Sequence, residues 1–159
     1  IGETGYAPKY QWHLRRSAAW TGRTLASMRL YDVLRCLEAL REIPGVDPDQ
    51  ISIVAEGEMA AVAAYAGMLD EKVKALLLKN PPATQNVTGD PDGKGMAIEM
   101  LNSLRVTDLP QVTGLMFPRE VISIGEWPDT YTWVEKLYEN LDHAAAIRKV
   151  DQPGEWLEE

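Results

Sequence analysis

Apolar and polar residues alternate with a helical period over one stretch of the chain and then give way to short apolar runs. From about 24 to 43, leucine and valine recur three and four residues apart, with charged residues between them. This spacing predicts an amphipathic helix, which Pro44-Gly45 ends. The apolar run over 51–55 predicts a strand of the kind that a parallel sheet buries on both faces. Helical spacing returns over 58–69, where small residues would let a helix lie close to a sheet.

The second half of the chain repeats this alternation. Three further strands are predicted, over 73–78, 121–125 and 146–150. Three further helices are predicted, over 96–104, 108–116 and 128–141. Asp108 or Thr107 is expected to cap the middle one, and Trp133, Leu137 and Leu141 should face inward on the last. Because strands alternate with helices, we predict an α/β fold of three layers, αβα, around a mainly parallel sheet.

Two segments have no clear period. Residues 1–20 mix Gly, Pro, Tyr, Trp and Arg, which predicts a leading loop with no more than one short turn of helix. Residues 84–95 are rich in Gly, Pro, Asn and Asp, and we expect a mobile surface loop there. The pattern over 151–159 predicts neither a helix nor a strand. By length, 1–159 is a single domain, large enough to bury a core.

Composition narrows the function. The net charge of −8 argues against unaided binding to nucleic acid, which needs clustered Lys and Arg. The longest apolar runs have the length of a strand, so the chain is expected to be soluble and not to span a membrane. The single cysteine, Cys36, excludes an internal disulfide and is expected to be a core or near-core thiol. No metal-ligand spacing or nucleotide-binding motif is present, so we expect no metal and no cofactor.

Several segments resemble α/β-hydrolases, and most closely the acetylxylan-esterase-like hydrolases. They are Gly2-Glu3-Thr4, the helix from Gly22 to Arg35, Val46-Asp47-Pro48-Asp49-Gln50-Ile51, Asp108-Leu109-Pro110 and Phe117-Pro118-Arg119. The resemblance covers roughly residues 1–150 and implies a partial α/β-hydrolase fold, the C-terminal portion of such a domain. It also implies cleavage of acetyl esters by a serine, an acid and a histidine in that chain order.

The strongest departure from this family lies at the nucleophile. Where the family carries G-x-S-x-G on a strained turn, the chain has Ala55-Glu56-Gly57-Glu58-Met59. The serine position therefore falls on Gly57, and both flanking glycines are replaced. Glu56 and Glu58 are candidates for acid/base or cation-binding roles, or else they are solvated carboxylates near a helix N-terminus.

The acid and the histidine of the family's catalytic triad are not both present in their expected places. By resemblance, the acid follows the strand over 121–125, where Glu126 or Asp129 could stand. The histidine should follow the strand over 146–150, but the tail contains none. The second donor of the oxyanion hole comes from an earlier loop, which this chain lacks.

No other residue is expected to replace the nucleophile or the base. Ser52 and Ser123 fall within strands, so their hydroxyls point to sheet faces rather than to the crevice at the strand ends. His143 precedes its strand and belongs at the opposite pole, and the place of His13 in the leading loop is not determined. Five tryptophans could line a sugar-binding cleft or pack in the core: Trp12, Trp20, Trp127, Trp133 and Trp156.

Two functions are therefore expected. The chain is an esterase-type hydrolase that is catalytically inactive, or it is a non-catalytic module that binds carbohydrate or protein. The start at Ile1 suggests a piece of a longer polypeptide, exported if the parent carries a signal peptide. Without further strands, 51–55 would be an exposed apolar edge. We expect that edge to be covered by the chain's own N-terminal segment, a second copy in a homodimer, or a complementing N-terminal fragment.

Overall fold

Four strands form one parallel sheet in the computed structural model, which describes residues 11–87 and 95–157. The strands are β1 (Ile53–Glu56), β2 (Ala75–Lys79), β3 (Glu120–Ile124) and β4 (Ile147–Val150). They lie side by side in chain order, and each of the three pairings is parallel. The predicted α/β fold with a parallel sheet is confirmed.

Six α-helices surround the sheet within the described residues. They are α1 (Gln11–Trp20), α2 (Leu25–Arg41), α3 (Glu58–Leu69), α4 (Leu109–Gly114), α5 (Thr132–Asn140) and α6 (Pro153–Leu157). Right-handed crossovers between strands in this order place α3, α4 and α5 on one face of the sheet. The main core lies there, with Leu76, Leu78 and Val121 of the sheet facing buried residues of α2 to α5. Trp156 of α6 packs on the other face.

Local capping chemistry sets where two of the helices begin. At α2, the Thr24 hydroxyl accepts from the Ser27 backbone N–H at 3.0 Å, and the Ser27 hydroxyl accepts from the Thr24 N–H at 2.9 Å. At α4, the Asp108 carboxylate accepts from the Leu109 N–H at 2.7 Å, which confirms Asp108 as the cap. The same carboxylate accepts from the Gln85 N–H at 2.6 Å, so the cap also holds the segment that follows β2.

Arg119 joins the elements at the amino end of the sheet. Its guanidinium donates to the carbonyls of Gly67 at 2.8 Å and of Asp70 and Val73 at 2.9 Å each. The Tyr138 hydroxyl in turn donates to the Arg119 carbonyl at 2.9 Å. Burial lowers the pKa of Arg119 from its usual value, and the nearby Tyr138, Glu71 and Asp70 oppose this shift. The bonds to Gly67 and Asp70 satisfy carbonyls at the end of α3 that the helix itself leaves open.

Three predicted elements differ from the structure. The prediction of a leading loop is wrong from residue 11 onward, where the chain forms α1. Arg15 anchors this helix through a bidentate pair with Glu99, at 2.8 and 2.9 Å. The helix predicted over 96–104 is wrong: only Ser103–Arg105 forms a turn of 3-10 helix. The helix predicted over 128–141 becomes a 3-10 turn at Asp129–Tyr131 followed by α5.

The loop predicted over 84–95 lies largely outside the described part, at residues 88–94, so its mobility stays a prediction. At its start the buried Gln85 amide donates to the Ile98 carbonyl at 2.7 Å.

Burial corrects three expectations. Cys36 is exposed and not a core thiol. Val54 is 54 % exposed, so β1 is not covered on both faces. On α5, the residues buried are Val134 and Tyr138, whereas Trp133 and Leu141 are nearly half exposed.

The contact between α4 and α5 leads to a stability prediction. A Cβ at Gly114 would lie 2.6 Å from Cζ3 of Trp133, so Gly114→Ala should lower the free energy of unfolding by about 1–3 kcal/mol. In a Trp133→Ala background the closest clash is removed, and the remaining contact, with Leu137 Cδ2 at 3.0 Å, is to the end of a flexible side chain. The same change should therefore cost less than about 1 kcal/mol there. Urea unfolding of the four proteins measures this; equal losses in both backgrounds would contradict the prediction.

Candidate functional site

The carboxyl ends of the four parallel strands meet at one edge of the sheet, where folds of this kind bind ligands. The segments that leave this edge begin at Gly57, Asn80, Gly125 and Asp151. Three of these, at Gly57, Asn80 and Gly125, have positive φ, which marks sharp turns at the edge.

Gly57 forms a tight elbow between β1 and α3. Its φ of 58° and ψ of −128° are a conformation that residues with a side chain rarely adopt. Its N–H donates to the Lys79 carbonyl at 2.9 Å, and a Cβ built on it would meet no atom within 4 Å. The backbone therefore has the strained form and the free space that a nucleophile on such a turn requires, without the nucleophile.

The N-terminus of α3 contributes backbone donors at the elbow. Glu58 is the first residue of α3, so its N–H has no acceptor inside the helix. An N–H in this place supplies one donor of an oxyanion hole. A single donor beside two carboxylates is a weak site for a developing negative charge.

Glu56 and Glu58 are both engaged with cations. The Glu56 carboxylate lies 3.3 Å from Nζ of Lys79 and accepts from the Asn80 amide at 3.3 Å. Glu58 forms a partly buried ion pair with Arg29 of α2. These pairings match the interpretation of solvated or paired carboxylates better than that of a free acid or base.

The two candidate acids lie beyond the end of β3, in a groove between β4 and α5. Glu126 is highly exposed and pairs with Lys149, and Asp129 begins the 3-10 turn before α5. The groove measures about 420 Å³, and its polar lining is Ser123, Glu126, Asp129, Thr132, Glu135, Glu139, Arg148 and Lys149. Carboxylates outnumber cations in it, so it is suited to donors such as hydroxyl or ammonium groups.

The spacing of the strands leaves the elbow and the acids unconnected. Since β1 and β3 are two strands apart, Gly57 and the start of the β3 exit are about 10 Å from each other. A histidine from the segment after β4 would have to bridge this gap, and residues 151–159 contain none. His143 precedes β4, at the other end of the sheet, where its ring packs on Phe117 at 5.1 Å. His13 lies exposed on α1.

The two candidate serines have no catalytic geometry. The Ser123 hydroxyl donates to the Gly125 carbonyl at 2.5 Å within its own strand exit. The Ser52 hydroxyl is buried and has no hydrogen-bond partner in the described part of the chain. Neither lies at the elbow, as the sequence analysis anticipated.

The tryptophans do not form one cleft. Trp127 lies at the groove, where its N–H donates to the Leu78 carbonyl at 3.2 Å and its ring packs on Tyr131. Trp133 lies against Gly114, and Trp156 packs on the opposite face of the sheet. Trp20 is 87 % exposed at the end of α1, and the side chain of Trp12 lies outside the described part.

The sequence analysis missed three contributors to this edge. Arg29 pairs with Glu58, which is 29 residues further along the chain, and Lys79 pairs with Glu56 of the neighbouring strand. The stripe Thr132, Glu135 and Glu139 lines the groove from α5. Its three- and four-residue spacing could have been found in the sequence, whereas the two cation pairings depend on tertiary contacts.

Across 11–87 and 95–157, no group of three or more His, Cys, Asp or Glu side chains is placed to hold a metal ion. In the same ranges, none of the helices has both the length and the apolar character of a membrane span.

Comparison with known proteins gives one informative match. A carbohydrate esterase family 15 glucuronoyl esterase from Caldicellulosiruptor kristjansonii superposes with a TM-score of 0.57 at 16% identity. The match covers 86% of this chain and 48% of the esterase, so the chain spans about half its length. This likeness shows a hydrolase-type fold. No protein-family model matches the sequence, and no curated protein matches it.

The elbow conformation gives a testable expectation. Gly57→Ser and Gly57→Ala should each lower the free energy of unfolding by about 1–3 kcal/mol, because both place a side chain at positive φ without a clash. Gly154→Ala is the matched control, since its Cβ also meets nothing but its φ is not positive. Urea unfolding compares the three; a Gly57 variant as stable as the parent would show that the elbow is relaxed.

Proposed function

We propose that this chain is an esterase-type hydrolase scaffold without ester-cleaving chemistry, and that it acts by binding a carbohydrate. The observation that carries the first part is Gly57, which occupies the elbow in its strained conformation but has no atom to attack a carbonyl. The place of His143 supports it, because this residue precedes β4 at the opposite end of the sheet and a hydroxyl nucleophile needs an adjacent base.

The elbow carboxylates do not replace the missing groups. A general base must reach the proton that it removes, and Glu56 and Glu58 are instead held by Lys79 and Arg29. Releasing either carboxylate would leave its cation without that partner. The elbow is therefore a structural turn in this proposal, and the acetylxylan-esterase resemblance describes descent and not activity.

The groove between β4 and α5 is the proposed carbohydrate site. At about 420 Å³ it falls in the range of small-ligand sites, and it combines carboxylate and hydroxyl groups with the edge of Trp127. Carboxylates accept hydrogen bonds from sugar hydroxyls and repel other carboxylates. The structural relative acts on a glucuronoyl ester, but the acidic lining here favours a neutral polysaccharide such as acetylated xylan over a free uronate.

The catalytic part of the proposal is tested by turnover of an aryl acetate. We expect the purified chain and Gly57→Ser to release product no faster than a heat-denatured control, because the variant restores a hydroxyl but no base. A fluorophosphonate probe should likewise leave both proteins unlabelled. Turnover by the parent that is lost in Glu56→Gln or Glu58→Gln would overturn the proposal and assign chemistry to the elbow carboxylates.

The binding part is tested by calorimetry with acetylated xylo-oligosaccharides. Glu135→Gln in the groove should weaken binding roughly tenfold, since a hydrogen bond to a charged group is lost. The matched control is Glu38→Gln, an exposed glutamate of α2 that lies outside the groove and pairs with Arg35 three residues away. A glucuronate-bearing oligosaccharide should bind more weakly than the neutral one. No binding, or equal loss in both variants, would remove the groove as the site.

A further inference from the structure

The groove between β4 and α5 runs along the length of that helix. Its lining includes Thr132, the first residue of α5, and Glu139, the last residue but one. Beyond the helix it extends from Trp127, after β3, to Ala144, before β4. Because β3 and β4 are parallel, α5 leads from one end of the sheet to the other, and the groove follows it. A groove of this shape suits an elongated ligand that lies parallel to the helix.

Three polar side chains of α5 line this groove in a row. They are Thr132, Glu135 and Glu139, spaced three and four residues apart, so that successive members are neighbours on the helix surface. At a rise of about 1.5 Å per residue, the two steps measure about 4.5 and about 6 Å along the axis, or about 5 Å on average. One pyranose residue lengthens an extended 1,4-linked sugar chain by a similar distance.

This spacing distinguishes a sugar chain from an extended peptide. Side chains on one face of a strand repeat at about 6.6 to 6.8 Å, so a peptide would be about 3 Å out of register at the third contact. The spacing also distinguishes between sugar linkages. A β-1,4-linked chain is nearly straight because both bonds of each linkage are equatorial, whereas an α-1,4-linked chain curves away from a straight row.

The two glutamates of the row are available to accept hydrogen bonds from a ligand. Glu126, at the carboxyl end of the groove, pairs with Lys149. By contrast, Glu135 and Glu139 are exposed and form no ion pair with another residue in the described part of the chain. An ionised carboxylate accepts hydrogen bonds strongly from hydroxyl groups and repels other carboxylates. The row therefore favours the hydroxyls of neutral sugars.

We propose that an extended β-1,4-linked oligosaccharide of neutral pyranose residues lies along α5, with successive sugar residues at Thr132, Glu135 and Glu139. This inference rests on the proposed carbohydrate function and gives the groove three subsites in a fixed order. Sugar hydroxyls donate to the two carboxylates, and the Thr132 hydroxyl donates or accepts. The groove then recognises the linkage and the length of the chain.

The test is calorimetry of the parent chain with xylo-oligosaccharides of two, three, four and six residues. Affinity should rise roughly tenfold from the disaccharide to the trisaccharide, because a hydrogen bond to a charged group is added. Longer chains should gain only a few-fold, since they add further registers but no further subsite. Maltotriose, whose α-1,4 linkages curve the chain, should bind no better than the xylose disaccharide. This series needs no substitution and does not depend on the folding of a variant.

Variants at exposed positions then assign the subsites. Glu139→Gln should lower the affinity for the trisaccharide to that for the disaccharide, which still binds at Thr132 and Glu135 and should change little. Glu135→Gln removes the central contact and should weaken both ligands roughly tenfold. Glu38→Gln, outside the groove on α2, should alter neither.

The outcomes separate this inference from the proposed function. Affinity that does not depend on chain length, or maltotriose that binds as tightly as xylotriose, would overturn the ordered subsites. If Glu135→Gln still weakens binding in that case, the groove remains a carbohydrate site. Equal losses of both ligands in Glu139→Gln would also overturn the order of the subsites. No binding of any oligosaccharide would reject the subsites and the proposed function together.

Discussion

The handedness of the crossover between parallel strands is the constraint from which the rest of this molecule follows. Four strands added in one direction, each through a right-handed connection, must place α3, α4 and α5 on the same face. That face becomes the main core, and the other receives only a smaller cluster with Trp156. The same order leaves β1 at one end of the sheet and brings every strand exit to one edge. Within the described residues, the exposed face of β1 and the edge at which all four strands end thus have a common origin.

Close packing against this sheet depends on small residues in α3. Its buried positions are mostly alanine, with Gly67 so near Met116 that an added Cβ would lie 2.6 Å from the sulfur. Burial of such a helix leaves carbonyls at its end that need donors, and Arg119 supplies them from the segment before β3. A partly buried bidentate pair between Arg41 and Asp70 joins α2 to the same end of α3. The amino end of the sheet is therefore stabilised by arginine, which leaves the other end available for binding.

The elbow at Gly57 has the backbone strain of a functional turn but lacks the reactive side chain that usually accompanies it. Backbone strain at a functional turn normally serves to present a reactive side chain. Here the turn has the strained dihedral angles, but glycine adopts them at little cost and exposes no nucleophile. The neighbouring glutamates are paired with Arg29 and Lys79, so the charge at this turn is largely balanced locally. In the proposed function the elbow serves to connect β1 with α3, and binding relies on the groove beyond β3.

Sequence periodicity determined the order of the main elements of the sheet, because apolar runs and helical spacing reflect which faces are buried. It also determined that Gly57 stands at the elbow, since this is a property of position along the chain. It did not find α1, whose pattern is weak and whose anchor is the pairing of Arg15 with Glu99, 84 residues away. It placed Cys36 inward, although hydrophobic character alone does not say which side of a helix meets a neighbour. Only the tertiary structure decided that Arg29 and Lys79 pair with the elbow carboxylates and that Glu126 pairs with Lys149. These outcomes depend on contacts between residues far apart in the chain, and local sequence patterns do not show which distant residues come into contact.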